Sequence, residues 1–150
     1  MTRCPEKGFS LIEVVVVIAL MAIIAAFAAP NFMNMMVQRR LNGAARQIMS
    51  ELMNARMQAV SQQNAFKISF PSNHEYTILD DDDNDGVADT GEAIQTKDIQ
   101  SDYYDVTLSS TASVIFFGRG TANGATTTVS NSAGSKNVNV EITGYVKITN

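Results

Sequence analysis

The sequence predicts an α+β protein in which a long N-terminal helix packs on an antiparallel β-sheet head. Three patterns predict it. Residues 14–37 carry no charge, and residues 14–29 are wholly apolar. From residue 37 to about residue 61, apolar side chains recur every three or four positions. Beyond Gln63 the period becomes strict alternation, in short runs separated by Gly, Asn, Ser and Asp.

At about 1.5 Å rise per residue, the first pattern covers roughly the 30 Å of a hydrocarbon core. The first half of the helix, residues 9–37, is therefore expected to span a membrane. A secretory signal has an apolar stretch of only about 7 to 15 residues before its cleavage site. A plain anchor leaves the run Lys7-Gly8-Phe9-Ser10-Leu11-Ile12-Glu13 unexplained. Glu13 is the informative residue, because a carboxylate costs on the order of 2.5 to 3.5 kcal/mol near a bilayer centre and less near an interface. Pro30 removes an intrahelical hydrogen bond and crowds the previous turn, so a bend or local melting is expected there.

The second half of the helix, residues 38–62, is amphipathic. Val37, Leu41, Ala44, Ile48, Leu52, Ala55 and Ala59 share one side, and Gln38, Arg39, Arg40, Asn42, Arg46, Gln47, Ser50 and Asn54 occupy the others. Met49, Met53, Met57 and Val60 form a second stripe, expected to fill the core rather than serve as an adaptable contact surface. Gly43 lowers local helix stability by roughly 1 kcal/mol relative to Ala and is expected to be a point of flexibility.

In the head, residues 63–150, strands are expected over 66–70, 76–79, 93–96, 106–108, 114–117, 126–129, 138–143 and 145–148. Short sequential strands without intervening helices favour antiparallel pairing. Of 150 residues, about 110 remain for this part, enough for one modest core. The single cysteine is Cys4.

The N-terminal motif resembles the type IV pilins and the pseudopilins of type II secretion. Their precursors carry a short basic leader ending in Gly, followed by Phe, a Glu four residues on, and an apolar helix. Met1 to Gly8 fits the leader, with Arg3 and Lys7 as positive-inside charge. The resemblance implies a pilin-like fold, cleavage by a prepilin peptidase between Gly8 and Phe9, and methylation of the new amino group on Phe9. It implies that Glu13 offsets the positive amino terminus of a neighbouring subunit during assembly, and it matches Pro30 to the helix-bending proline of many members. It further implies an inner-membrane, single-pass protein with a periplasmic head. Its partners would be the peptidase, other pilin or pseudopilin subunits, the inner-membrane assembly platform and membrane lipid. Loss of the leader would remove Cys4, leaving no disulfide.

The second half is similar to the GspH/FimT group of minor pilins and pseudopilins. The likeness rests on the run Val114-Ile115-Phe116-Phe117-Gly118-Arg119-Gly120-Thr121-Ala122 and on the stretch 138–148. Many members have arginines around the final glycine, whereas this chain has Tyr145 and Lys147 after Gly144.

A second motif spans residues 81–92, Asp-Asp-Asp-Asn-Asp-Gly-Val-Ala-Asp-Thr-Gly-Glu, and satisfies the calcium-loop pattern. Calcium takes six to eight hard oxygen ligands. The spacing offers the carboxylates of Asp81, Asp83 and Asp85, the Val87 carbonyl, Asp89 directly or through water, and both oxygens of Glu92. Gly86 permits the sharp turn. The flanks are strand-like, so an EF-hand-like loop inside a hairpin is expected, the alternative being a solvated acidic turn. Residues 75–105 hold eleven carboxylates against Lys97 alone, and a divalent ion would relieve their repulsion. A structural calcium, not a calcium switch, is the expected cofactor.

Catalysis is not expected. His74 is the only histidine, and neither a Ser/His/Asp set nor a phosphate-cradling loop can be assembled. A hydrolase on an uncleaved anchor therefore lacks its chemistry. The second reading is a DNA-binding minor pilin acting in DNA uptake. Residues 38–150 carry nine basic and thirteen acidic side chains, which disfavours nucleic acid as a partner.

Overall fold

A computed structural model describes residues 9–150. The expected leader, residues 1–8 with Gly8, lies outside the described residues. The chain divides into two compact units, one ending at Met36 and the other running Val37–Asn150.

Helix α1 is Leu11–Gln62. Ser10 starts it by accepting the Glu13 N–H on Oγ at 3.3 Å, and its carbonyl accepts the N–H groups of Glu13 and Val14. Ser10 and Glu13 also have capping-box spacing, a local signal the sequence reading passed over. Helix is assigned through residue 30 without a break, so the expected local melting is not seen. Asn31 Nδ2 donates to the Phe27 carbonyl at 3.2 Å, supplying a side-chain donor beside the bond a proline removes. At the other end Gln63, with φ +63, takes the left-handed conformation that ends helices, and its N–H bonds the Ala59 carbonyl at 2.9 Å.

Within the second unit, Leu41, Ala44, Ala45, Ile48, Leu52, Ala55 and Ala59 of α1 are buried along one stripe. They share a single core with residues from two antiparallel sheets. The first sheet has the order β3-β2-β1-β5, with β1 Ala65–Ser69, β2 Glu75–Asp81, β3 Ile94–Asp98 and β5 Val114–Phe116. The second has the order β4-β6-β7-β8, with β4 Thr107–Ser110, β6 Ala125–Asn131, β7 Gly134–Val140 and β8 Val146–Thr149. Strand β1 lies inside its sheet, pairing Ile68 with Ile78 on one side and Val114 on the other. Its inward residues Phe66 and Ile68 reach the core, joined by Tyr76, Val114 and Phe116. From the second sheet come Leu108, Val129, Val138, Val140 and Val146. Each fully buried aliphatic side chain of this kind contributes about 1.5 to 3 kcal/mol against exposure.

The antiparallel head expected from the sequence is present as two sheets, with β5 paired against β1 in the first. Three sequence expectations change. The strand expected over 138–143 is displaced to Gly134–Val140. Residues 141–144 turn instead, with the Gly144 N–H on the Glu141 carbonyl at 2.8 Å. The methionine stripe is mostly outside: Met49 packs against the core, but Met53, Met57 and Val60 are exposed by 46%, 66% and 47%. Gly43 is a packing position, since a Cβ there would stand 2.7 Å from Tyr103 Cε1.

Three cations of the second unit are tied to carboxylates. Arg40 forms a two-pronged pair with Asp105, Nε to Oδ1 at 2.7 Å and Nη2 to Oδ2 at 3.0 Å, and lies 4.5 Å above the Tyr104 ring centroid. Asn131 Nδ2 donates both to Asp105 and to the Val37 carbonyl. The Arg40 guanidinium holds the Asp105 carboxyl below its usual range. Lys97 bonds Glu51 at 2.6 Å, and Lys147 bonds Glu141 at 2.6 Å.

Candidate functional site

In the first unit the apolar helix residues cover nothing. None of the 18-residue window that qualifies as a membrane span is buried. Leu11, Ile18, Met21, Ile24 and Phe27 are all exposed, an uncovered surface far beyond the ordinary patch on a soluble protein. Phe9 and Glu13 line one open groove with Val14, Val17 and Ile18. The Glu13 carboxylate has no hydrogen-bond or ion-pair partner among the described residues. Pro30 belongs to the same helix, twelve positions past Ile18.

In the second unit the acidic motif closes the hairpin between β2 and β3. Asp81 is buried at its base, where Oδ1 accepts the Asp85 N–H at 3.1 Å and Oδ2 the Gly86 N–H at 2.9 Å. Burial pushes the Asp81 carboxyl up, against the pull of the Gly86 N–H. Asp83 Oδ1 shares the Asp85 N–H at 3.1 Å, and Asp85 Oδ1 accepts from Val87 N–H at 2.6 Å. The chain turns through Asn84 at φ +65 and Gly86 at φ +78. Lys67 Nζ donates to the Gly86 carbonyl at 2.5 Å, fastening the loop to β1. At the base, buried Asn64 donates from Nδ2 to both Asp80 and Asp82.

Asp81, Asp83 and Asp85 bring ligand oxygens within 4.8 Å of one another, a group able to hold an ion. Asp89 and Glu92 are not gathered with them. Glu92 instead spans the loop, Oε1 accepting the Asp82 N–H at 3.0 Å and Oε2 the Asp89 N–H at 2.9 Å.

The sequence reading missed a third feature, the seat of Arg56. Its Nε donates to the Gly120 carbonyl at 3.0 Å and its Nη2 to the Thr143 carbonyl at 3.5 Å. A Cβ on Gly144 would collide with the Gly120 carbonyl and stand 2.8 Å from Arg56 Nε, and one on Gly118 would stand 2.7 Å from the Gln63 backbone. The Gly-Arg-Gly run at 118–120 and the lone Gly144 were the available signal, since close approach of backbone selects glycine.

Residues 44–144 match the family model described as type II transport protein GspH, and residues 3–29 match the prokaryotic N-terminal methylation motif. The chain belongs to the GspH family. It is a minor pilin or pseudopilin, a structural and non-enzymatic protein. This GspH-family fold is similar to that of the type IV minor pilin FimU of Pseudomonas aeruginosa, at 17% identity and a TM-score of 0.59, covering 75% of this chain and 90% of the other. It is also similar to the minor pseudopilin EpsH from the type 2 secretion system of Vibrio cholerae, at 10% identity and a TM-score of 0.55, covering 73% and 96%. At these identities the likeness concerns the fold: a long helix packed against antiparallel sheets. No curated protein sequence matches the chain.

Proposed function

We propose that this GspH-family protein is a filament subunit of the cell envelope. It is held in the bacterial inner membrane by the first half of α1, with the head in the periplasm, and is then drawn into a pilus or pseudopilus. The observation that carries this reading is the uncovered apolar first half of α1, residues 11–37, with Glu13 as its one charge. Lipid covers such a surface before assembly, and the helices of other subunits cover it afterwards. A prepilin peptidase cuts between Gly8 and Phe9 and methylates Phe9. The new amino group carries a positive charge into the apolar filament interior, where Glu13 of a neighbouring subunit offsets it. An uncompensated charge in that setting costs several kcal/mol, so the pairing sets register as well as affinity. Pro30 leaves the helix one backbone hydrogen bond short where it must adapt from bilayer to filament. The assembly platform supplies the work, since this chain has no phosphate-cradling loop.

The acidic loop is read as a structural calcium site. Asp81, Asp83 and Asp85 supply the first oxygens, and the Val87 carbonyl, Asp89 and Glu92 complete the set. To ligate, the Glu92 carboxylate must give up the bonds it accepts from the Asp82 and Asp89 N–H groups, a rearrangement within one loop. The chemistry suits a hard divalent cation, and extracellular modules bind calcium with Kd of about 10⁻⁴ to 10⁻³ M.

Residues 38–150 carry nine basic against thirteen acidic side chains, and Arg40, Lys97 and Lys147 are each paired with a carboxylate, so DNA uptake is the weaker reading. Mass spectrometry of the protein from its native membrane tests the proposal. The expected N-terminus is methylated Phe9, and its appearance depends on the peptidase. A final product that retains residues 1–8 would overturn the filament assignment.

A further inference from the structure

The unabsorbed feature of the head is the groove lined by Arg56, Met57, Val60, Ser61, Arg119 and Gly120, about 570 Å³ in volume. Its chemistry is double. Met57 and Val60 line the groove and, with Met53 one turn away on the same helical face, are exposed while the stripe from Leu41 to Ala59 is buried in the core. Beside them stand two guanidinium groups with no carboxylate within 4.0 Å among the described residues, whereas Arg40, Lys97 and Lys147 each have one.

Arg56 is held rigidly. Its fork is spent on the carbonyls of Gly120 and Thr143, and the bare backbones of Gly120 and Gly144 close around it. Neutral carbonyls orient the group and leave its full charge uncompensated. Arg119 is exposed on the other wall. On its far side a separate depression reaches the acidic loop only at Asn84, which carries no charge. A fixed cation and an exposed one, beside Met57 and Val60, together make a surface that takes an anion embedded in apolar contacts.

We infer that this groove docks a segment of another pilin-type subunit that presents a carboxylate flanked by apolar side chains. The inference rests on the filament reading and adds which surface of the head meets the neighbour and what the neighbour must offer. A protein carboxylate fits better than nucleic acid. Two guanidinium groups do not form the extended cationic track that phosphates require, and the apolar wall would be wasted on a backbone of phosphates.

The test uses the full-length protein in its native cells with p-benzoylphenylalanine at position 57. After irradiation the cross-linked peptide is mapped by mass spectrometry. The expected peptide comes from another pilin-type subunit and contains Asp or Glu among apolar residues. Arg119→Glu is expected to lower the cross-link yield about tenfold, the size of a single well-placed charge pair. Arg119→Lys should retain most of it, and changing the mapped carboxylate to Lys should restore yield to the Arg119→Glu protein. Cross-links to lipid or nucleic acid, a mapped segment without a carboxylate, or a yield indifferent to Arg119→Glu would each overturn the docking site. The same photoreactive group at position 20 separates the two claims. Loss of subunit cross-links at 57 alone overturns the groove, and loss at both positions overturns the filament reading beneath it.

Discussion

Gly144 sits at φ +76 with Arg56 Nε 2.8 Å from where a Cβ would stand, so a side chain there meets both a strained backbone and a guanidinium that cannot retreat. Gly144→Ala is expected to destabilise the protein by about 1 to 3 kcal/mol in denaturant titration. Gly43→Ala sets two effects against each other. Helix propensity favours alanine by about 1 kcal/mol, while forcing a methyl into the Tyr103 ring costs about 1 to 3 kcal/mol. Packing wins, and a net loss of about 1 kcal/mol is expected. Had Gly43 been the flexible point its residue type suggests, the same change would stabilise. The Arg40–Asp105 pair has a pH signature. The Asp105 carboxyl is held below its unfolded value of 3.8 chiefly by its hydrogen bond to Arg40, so the folded state binds this proton less readily than the unfolded chain. The pair's contribution is therefore complete above that value and disappears as pH falls through the lower folded pKa. Asp105→Asn should remove this part of the acid-induced fall in melting temperature, as read by circular dichroism.

Among the elements, the acidic hairpin loop makes the sharpest claim. With calcium about twenty-fold above Kd, mass action adds about 2 kcal/mol to stability, read as a rise in melting temperature. Asp83→Asn should abolish most of that rise, and a melting curve unmoved by millimolar calcium would remove the ion from the account. The strands show what the chain discloses locally. Phe66 and Ile68, or Val138 and Val140, alternate with polar neighbours because one face of each strand meets the core, and that period is visible in sequence. Strand β7 begins at Gly134, ahead of any apolar residue, because Ser135, Lys136 and Asn137 are held by the ladder to β6 rather than by burial. Likewise nothing near β1 announces β5 as its partner forty-odd residues later, since that pairing is set by the tertiary core. The calcium-type motif was legible because its first three carboxylates act through local spacing. The separation of Glu92 from that cluster was not, because it depends on which backbone N–H groups its carboxylate satisfies. The methionine stripe was misjudged for a related reason: period locates a face, but what covers the face is decided elsewhere. Met53→Ser and Met57→Ser should each change stability by less than about 0.5 kcal/mol while weakening assembly.

For the whole molecule, a helix half of which covers nothing and a head with its own two-sheet core describe a subunit designed to be completed by others. Glu13, the lone carboxylate on the uncovered half of that helix, carries the central claim. Replacing it with an isosteric amide leaves shape, cleavage site and bilayer length unaltered and removes only the charge. The direct measurement is the amount of Glu13→Gln protein recovered in filaments sheared from cells that also express the other subunits, normalised to the processed protein in the membrane. Recovery is expected to fall about tenfold or more, with N-terminal processing intact. Recovery equal to that of the unaltered protein would contradict the account.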